Sequence, residues 1–453
     1  MVVLGEIKHS SLLKAGSIGF LILVLLIPLA MTRGLIDDRI AVGEVAQADI
    51  QRAWGGSQVI AGPILVVPYS TVRVEPYGDR QVSGGELHFL PEQLDLDMTL
   101  VPEVRYRGVH EVPVYTAMTS IRGQFPAPDT SGLGIDDAVF DWSRAYFSLI
   151  VSDARAIRNA PVVRVAGSDF GFGPGGSHVD GFPPQVIAYA DLSGDNIANG
   201  PITFHIDVDF AGTNAVSILP LGDTTSASMT STWTAPSFSG NHLPETREIN
   251  EQGFQASWRI SSFGRRLPSR WTEQRVEEYA LLHTAFGVEL YQPVSLYQRT
   301  ERATKYAVLI IGLTFVAYFL FEVLARLRLH PLQYLLIGLA NTLFYLLLLS
   351  LAEHLGFGSA YLLSAVASTS MIVTYSASIL GNKLRALMVG VVLACLYLFL
   401  YFTLNAEIYA MLAGSSGLWI TLAAIMYLTR HIDWYGGGQD DNDQSQRGLF
   451  DRP

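Results

Sequence analysis

Apolar and polar positions divide the chain before any single residue type is considered. Uninterrupted apolar runs of about 20 residues, enough to cross roughly 30 Å of hydrocarbon as a helix, occupy residues 15–32, 305–325, 331–352, 357–380, 384–404 and 407–429. Between the first and second runs the pattern changes. Residues 59–74, 86–89, 105–125, 201–210, 227–233, 254–261 and 287–297 alternate or cluster β-branched and aromatic residues between turn signals, which predicts strands. In residues 205–210 a period of two puts Ile206, Val208 and Phe210 on one face and His205, Asp207 and Asp209 on the other.

Two helical patterns interrupt the strands. Residues 36–54 bring Ile36, Ile40, Ala46 and Ile50 near one face, as a stalk beneath the first span would. Residues 269–286 begin at a Ser269 cap and carry Glu273, Glu277 and Glu278 near the start, where a helix dipole favours them. The expected fold is therefore a membrane α-helical protein with a large antiparallel, sandwich-like β-rich domain outside the cytoplasm. Its six transmembrane helices are arranged one plus five. The boundaries are a cytoplasmic N-terminus (1–14), an anchor helix (15–32), the β domain (33–303), a five-helix domain (304–429) and a disordered tail (430–453).

Composition agrees with a membrane protein: 49% of residues are hydrophobic and 16% charged. A net charge of -11 with scattered Lys and Arg excludes a nucleic-acid partner, which needs clustered cations. The single cysteine, Cys395, lies in an apolar run, so the β domain has no disulfide framework and no cysteine metal site.

Loop charges orient the spans. Arg326, Arg328 and His330, then Lys383 and Arg385, then Arg430 and His431 mark the cytoplasmic side, while the alternate loops hold Glu353 with His354 and Asn405. Both termini are then inside and the β domain outside. Arg33, Arg39, Arg299 and Arg302 run against this count, but long translocated domains weaken the rule. The small-residue pattern Ala46-Gln47-Ala48 lies too far beyond the first apolar run for signal cleavage, so that run reads as an uncleaved anchor.

The search for chemistry finds no motif that requires a cofactor. The glycine-rich 171–176 segment lacks a Walker lysine, and 191–196 misplaces the glycine of a calcium loop. His205, Asp207 and Asp209 share a face but read as a solvated one. In the spans, Glu322 is spaced to pair with Arg326, and Glu353 and His354 lie on the side where Arg302 and Lys305 begin the second span, so pairing between these helices is expected. Ala360, Ser364, Ala367, Thr374 and Ser378 form a small-residue stripe for helix contact, and Asn341 lies deep in its span.

Several strings carry a resemblance. They include Phe89-Leu90-Pro91-Glu92, Ser152-Asp153-Ala154-Arg155, the run from Ser237 to Pro244, and Gly253-Phe254-Gln255-Ala256-Ser257-Trp258. Arg302-Ala303-Thr304-Lys305-Tyr306-Ala307, Arg328-Leu329-His330-Pro331-Leu332-Gln333-Tyr334 and Thr429-Arg430-His431-Ile432-Asp433-Trp434-Tyr435 continue them. With these strings the chain resembles the bacterial inner-membrane CreD family, the cell envelope integrity proteins. That resemblance implies an inner-membrane location, a periplasmic β domain and a part in envelope integrity under a two-component response to β-lactam or cell-wall stress; it implies no reaction.

The leading expectation is a non-enzymatic protein that holds an envelope protein, peptidoglycan or lipid component through its β domain. One alternative is a periplasmic or membrane-surface hydrolase using His242, Glu245, Glu353 and His354. The other is a transporter or channel, for which midplane charges, broken helices or a repeated half would be expected.

Overall fold

The computed structural model describes residues 11–74, 80–129, 131, 133, 135, 138–174, 185–194, 200–265, 267–272, 282–290, 296–324, 329–405 and 410–430. The chain forms two compact units, Ala41–Pro293 and Met1–Ile40 with Val294–Pro453. The first is built of strands and the second of helices.

Two mixed sheets make up the β unit, with strands numbered along the chain. The ten-stranded sheet runs in the order β14 (Pro236–Gly240), β18 (Phe286–Leu290), β12 (Ala215–Ile218), β1 (Gln58–Val74), β6 (Ala145–Val151), β10 (Gln185–Ala190) and β9 (Gly173–Pro174). Beside this path, β2 (Arg80–Phe89) and β5 (Val139–Phe140) pair with β1, and β17 (Arg270–Trp271) pairs with β2. The eight-stranded sheet runs β15 (Thr246–Asn250), β16 (Gly253–Ser261), β13 (Thr224–Ser231), β3 (Gln93–Arg107), β4 (His110–Phe125), β11 (Ile202–Thr213), β7 (Val162–Val165) and β8 (Ser168–Gly171).

The sequence alternation becomes the inner and outer faces of these sheets. In β3, Leu94, Leu96, Met98 and Leu100 are buried while Asp95, Asp97 and Thr99 point outward. β11 does the same with Ile206, Val208 and Phe210 inside. β6 is buried at every position, as a strand enclosed on both faces must be. One hydrophobic core joins the two sheets. The ring centroids of Phe125 from β4 and Phe147 from β6 lie 6.0 Å apart, and those of Phe238 from β14 and Trp258 from β16 lie 5.8 Å apart.

The sheets are not wholly antiparallel as expected: β1 runs parallel to β12, and β3 parallel to β13. Strand direction can be read locally only for hairpins, and each of these pairs joins segments more than a hundred residues apart. The expected helix at 269–286 has strand at both described ends, in Arg270–Trp271 and Phe286–Leu290; residues 273–281 lie outside the described residues.

The chain crosses between sheets at Asn214, whose φ of 63° ends β11 and starts β12. At this crossing the hydroxyl of Tyr115, on β4, donates to the carbonyl of Ala215 on β12 at 2.7 Å. Complete burial holds the phenol far above its ordinary pKa, so it remains a donor. The same ring fills the space beside Gly212, where an added Cβ would lie 2.3 Å from the Tyr115 hydroxyl.

The helical unit contains α2 (Leu296–Lys305), α3 (Ala307–Leu324), α4 (Pro331–Leu355), α5 (Phe357–Ile379), α6 (Lys383–Asn405) and α7 (Ala410–Thr429). It also includes the first part of α1 (Ser11–Trp54). Among the described residues α1, α4, α5 and α6 are each long and apolar enough to cross a membrane, and α2 with α3, bent by 42°, forms a fifth candidate. The expected anchor and stalk are one helix. Only Gly34 interrupts good helix formers between Thr32 and Ile36, and its cost of about 1 kcal/mol does not break a helix supported on both sides.

α4 begins at a full capping arrangement. The His330 ring accepts from Leu332 N–H, the Gln333 side chain accepts from His330 N–H, and Pro331 occupies the first turn, where its missing N–H is not needed.

Replacing Tyr115 with Phe strands the Ala215 carbonyl in the core. A loss of about 1–3 kcal/mol of β-unit stability is expected, measured by denaturant unfolding followed through tryptophan fluorescence.

Candidate functional site

The outer face of the eight-stranded sheet is a regular polar array, because strand register places like positions in rows. One row reads Asp169, Arg164, His205, Arg122, Asp95, Ser226 and Arg259 across β8, β7, β11, β4, β3, β13 and β16. The next reads Asp207, Ser120, Asp97, Ser228, Ser257 and Thr246. Hydrogen bonds run along the second row, from Ser228 Oγ to Asp97 Oδ1 at 2.7 Å and between Thr246 and Ser257 at 2.6 Å. His205 Nε2 lies 3.0 Å from both Ser120 Oγ and Asp207 Oδ1, and Arg164 reaches Asp207 Oδ2 at 3.2 Å. A guanidinium inside this cluster opposes a bound cation. Among the described residues no three His, Cys, Asp or Glu side chains converge as a metal site.

Over this face lies a groove of ≈ 400 Å³ lined by Asp95, Asp97, Arg122, Glu245 and Arg259 with the hydroxyls of Ser226, Ser228 and Ser257. Glu245 enters it because its N–H bonds the Ser257 carbonyl at 2.7 Å, holding the segment before β15 against β16. His242, three residues earlier, lies elsewhere in the packing: its ring stands edge-on to Phe286 at 6.3 Å and its carbonyl accepts from Trp258 Nε1 at 3.1 Å. The groove can hydrogen-bond a polar molecule with groups of both charges. It presents carboxylates, guanidiniums and hydroxyls.

In the helical unit Glu353 is the centre of a second cluster. Its Oε1 lies 3.3 Å from Arg39 Nε and accepts from Tyr297 OH at 3.3 Å. Lys305 pairs with Glu301 at 2.8 Å on its own helix. The cation beside Glu353 is thus Arg39 of α1, where Arg302 or Lys305 was expected, and His354 is exposed. Arg33 donates to the Thr304 carbonyl at 3.0 Å. Two of the four arginines that run against the loop-charge pattern, Arg33 and Arg39, are therefore held by groups of the helical unit, and that mismatch was the available signal for Arg39. Tyr297 carried no signal in the sequence.

Glu322 is 4% exposed and accepts from Leu329 N–H at 3.2 Å and Tyr334 OH at 3.1 Å. Its expected partner Arg326 lies outside the described residues. The candidate hydrolase residues fall into the two separate units, His242 and Glu245 in one and Glu353 and His354 in the other. The 191–194 segment is a turn in which Asp191 Oδ1 accepts from Ser193 N–H at 3.0 Å and Ser193 Oγ at 2.6 Å.

A family model described as inner membrane protein CreD matches residues 10–435. The chain belongs to the CreD family. It is 32% identical over 417 residues to the inner membrane protein CreD of Escherichia coli (strain K12), covering 91% of each chain. The match to CreD takes in both units, so the β unit and the helical unit belong to one family architecture. It also makes this chain a multi-pass inner-membrane protein.

Two outcomes follow for the residues described. Arg39→Ala and Glu353→Gln in a double-mutant cycle give a coupling of about 0.5–1 kcal/mol in thermal or denaturant unfolding, as fits a pair with one half-exposed member. Asp129 is held well below the usual carboxylate range by the Arg270 guanidinium and by the Ser131 N–H. Its contribution is therefore complete above the ordinary value of about 3.9 and is lost as pH falls below that toward the lower folded value. Carboxyl NMR shifts of Asp129 titrate below the normal range, and Arg270→Ala returns them to it.

Proposed function

We propose that this CreD-family chain maintains the cell envelope by holding a polar envelope component in the groove of its eight-stranded sheet. The observation that carries the reading is the register-built array of Asp95, Asp97, Arg122 and Arg259 lining the groove, with Glu245 held over it by its backbone bond to Ser257. A solvated face needs charge, but it does not need a concavity with acids, bases and hydroxyls converging on it.

In this reading the β unit is periplasmic, both termini are cytoplasmic and six spans cross the bilayer. The sixth is α7, a 20-residue helix with no charged residue. It is about 30 Å long at 1.5 Å per residue, enough for the hydrocarbon. The cationic loops at 326–330, 383–385 and 430–431 alternate with loops poor in Lys and Arg, which supports that orientation. Regulation by cell-wall or β-lactam stress belongs to the same proposal.

Orientation is tested in a Cys395→Ser background. A membrane-impermeant maleimide labels Glu248→Cys in cells with a permeabilised outer membrane and leaves Asn382→Cys unlabelled until the inner membrane is broken. The opposite pattern overturns the orientation. Binding is tested with a photo-crosslinking residue at Asp97 in intact cells: an envelope adduct forms there, is absent from Asp191, and falls about tenfold when Arg122 and Arg259 are changed to Ala. Equal adducts at Asp97 and Asp191 sink the groove as the binding face.

A further inference from the structure

Midway along the helical unit, three helices bring neutral polar side chains into one buried cluster. Asn341 and Tyr345 come from the middle half of α4, Ser364 and Ser368 from that of α5, and Tyr397 from that of α6. All are at most 2% exposed. Tyr397 OH donates to Asn341 Oδ1 at 3.0 Å, and Tyr361 OH donates to the Tyr397 carbonyl at 2.6 Å. The Tyr345 ring stands edge-on to that of Phe344, with centroids 4.8 Å apart. Phe344 ties the group together, its ring centroid 4.5 Å from Tyr397 and 5.3 Å from Tyr361.

The cluster is incompletely satisfied by the protein itself. Among the described residues Asn341 Nδ2, Tyr345 OH and Ser364 Oγ have no hydrogen-bond partner, and Ser368 Oγ lies beside the Tyr397 phenol. Elsewhere in the unit, buried hydroxyls bond their own helix: Thr314 to the Ile310 carbonyl, Thr342 to Gly338, Ser376 to Ile372 and Thr403 to Phe399. Ser364 and Ser368 forgo that bond. An orphaned donor at such a depth is costly, so three in one place require a partner.

We propose that this cluster binds water within the helical unit. The orphaned groups are uncharged and, among the described residues, no carboxylate or ammonium joins them, so none of these compensates an ion. Water both donates and accepts, and the amide, phenol and hydroxyls supply the several polar partners a buried water needs. Bound water then joins α4, α5 and α6 through groups that direct contacts leave open.

The test is radiolytic hydroxyl labelling of the full-length protein in nanodiscs, in which a buried side chain is oxidised only beside bound water. Tyr345, Tyr361 and Tyr397 are expected to label several-fold faster than Phe315, which is fully buried in the apolar core of the same unit. Rates no higher than that of Phe315 overturn the proposal. Asn341→Leu lowers the Tyr397 rate several-fold. Because that variant removes an amide and can fail to fold, Tyr345→Phe gives a second reading. Loss of a water-bonded hydroxyl lowers the unfolding midpoint, whereas removal of a dry orphan leaves it unchanged or raises it, and either of those outcomes counts against bound water.

Discussion

The hydrogen bonding of β1 is the constraint on which the ten-stranded sheet depends. Its 17 residues pair with four other strands: parallel to β12 at residues 58–60, and antiparallel to β6, β2 and β5 further along. No other strand could replace it, because β12 and β6 reach each other only through its backbone. The register shift between Ala61 and Ile64 contains Pro63, which has no N–H to give, so the ladder with β6 steps over Gly62 and Pro63. β1 also begins directly after α1. Trp54, the last residue of that helix, lies between the guanidiniums of Arg105 at 4.4 Å and Arg158 at 4.6 Å, and its Nε1 reaches the Tyr115 carbonyl at 3.3 Å. Helix end and strand start are fixed to the same part of the β unit.

Much of this architecture was legible in the chain, for physical reasons that also mark where reading stops. Apolar length identifies spans because hydrocarbon thickness is fixed. Alternation identified β11 and β16, whose aromatic and β-branched residues favour a pleated surface. It passed over β3, where Leu94, Asp95, Leu96 and Asp97 alternate perfectly in residue types that seldom announce a strand. β6 was missed for the opposite reason: Ala145–Val151 is buried throughout and has no alternation to show. The parallel pairings join distant segments and leave no local trace.

The polar sites were legible in residue type and illegible in partnership. Glu353 stood out as an acid at a span end, yet Arg39, more than three hundred positions away, is its counter-ion. In α5 the expected stripe at Ala360, Ser364, Ala367, Thr374 and Ser378 meets the buried face at Ala360 and Ser364, but that face, Phe357, Ala360, Tyr361, Ser364, Ser368, Ile372 and Ser376, is centred about a quarter-turn away. Small size suggested close contact, but Tyr361 and Ile372 decide which side faces the neighbours. The groove was invisible in sequence because it depends on Glu245 being held over β16 by a backbone bond.

Gly338 has a consequence for how the membrane unit is made. A Cβ at this position would meet Leu25 Cδ1 at 2.1 Å and Phe315 at 2.9 Å, so α1 fits against α4 through the space that a missing side chain leaves. Leu25 and Leu29 are 1% exposed only once that contact exists. Synthesis runs from the N-terminus, and some three hundred residues, including the whole β unit, separate Leu25 from Gly338. The contact between the first helix and α4 therefore cannot form until the chain has been made through Gly338, although Leu25 is among the first residues synthesised.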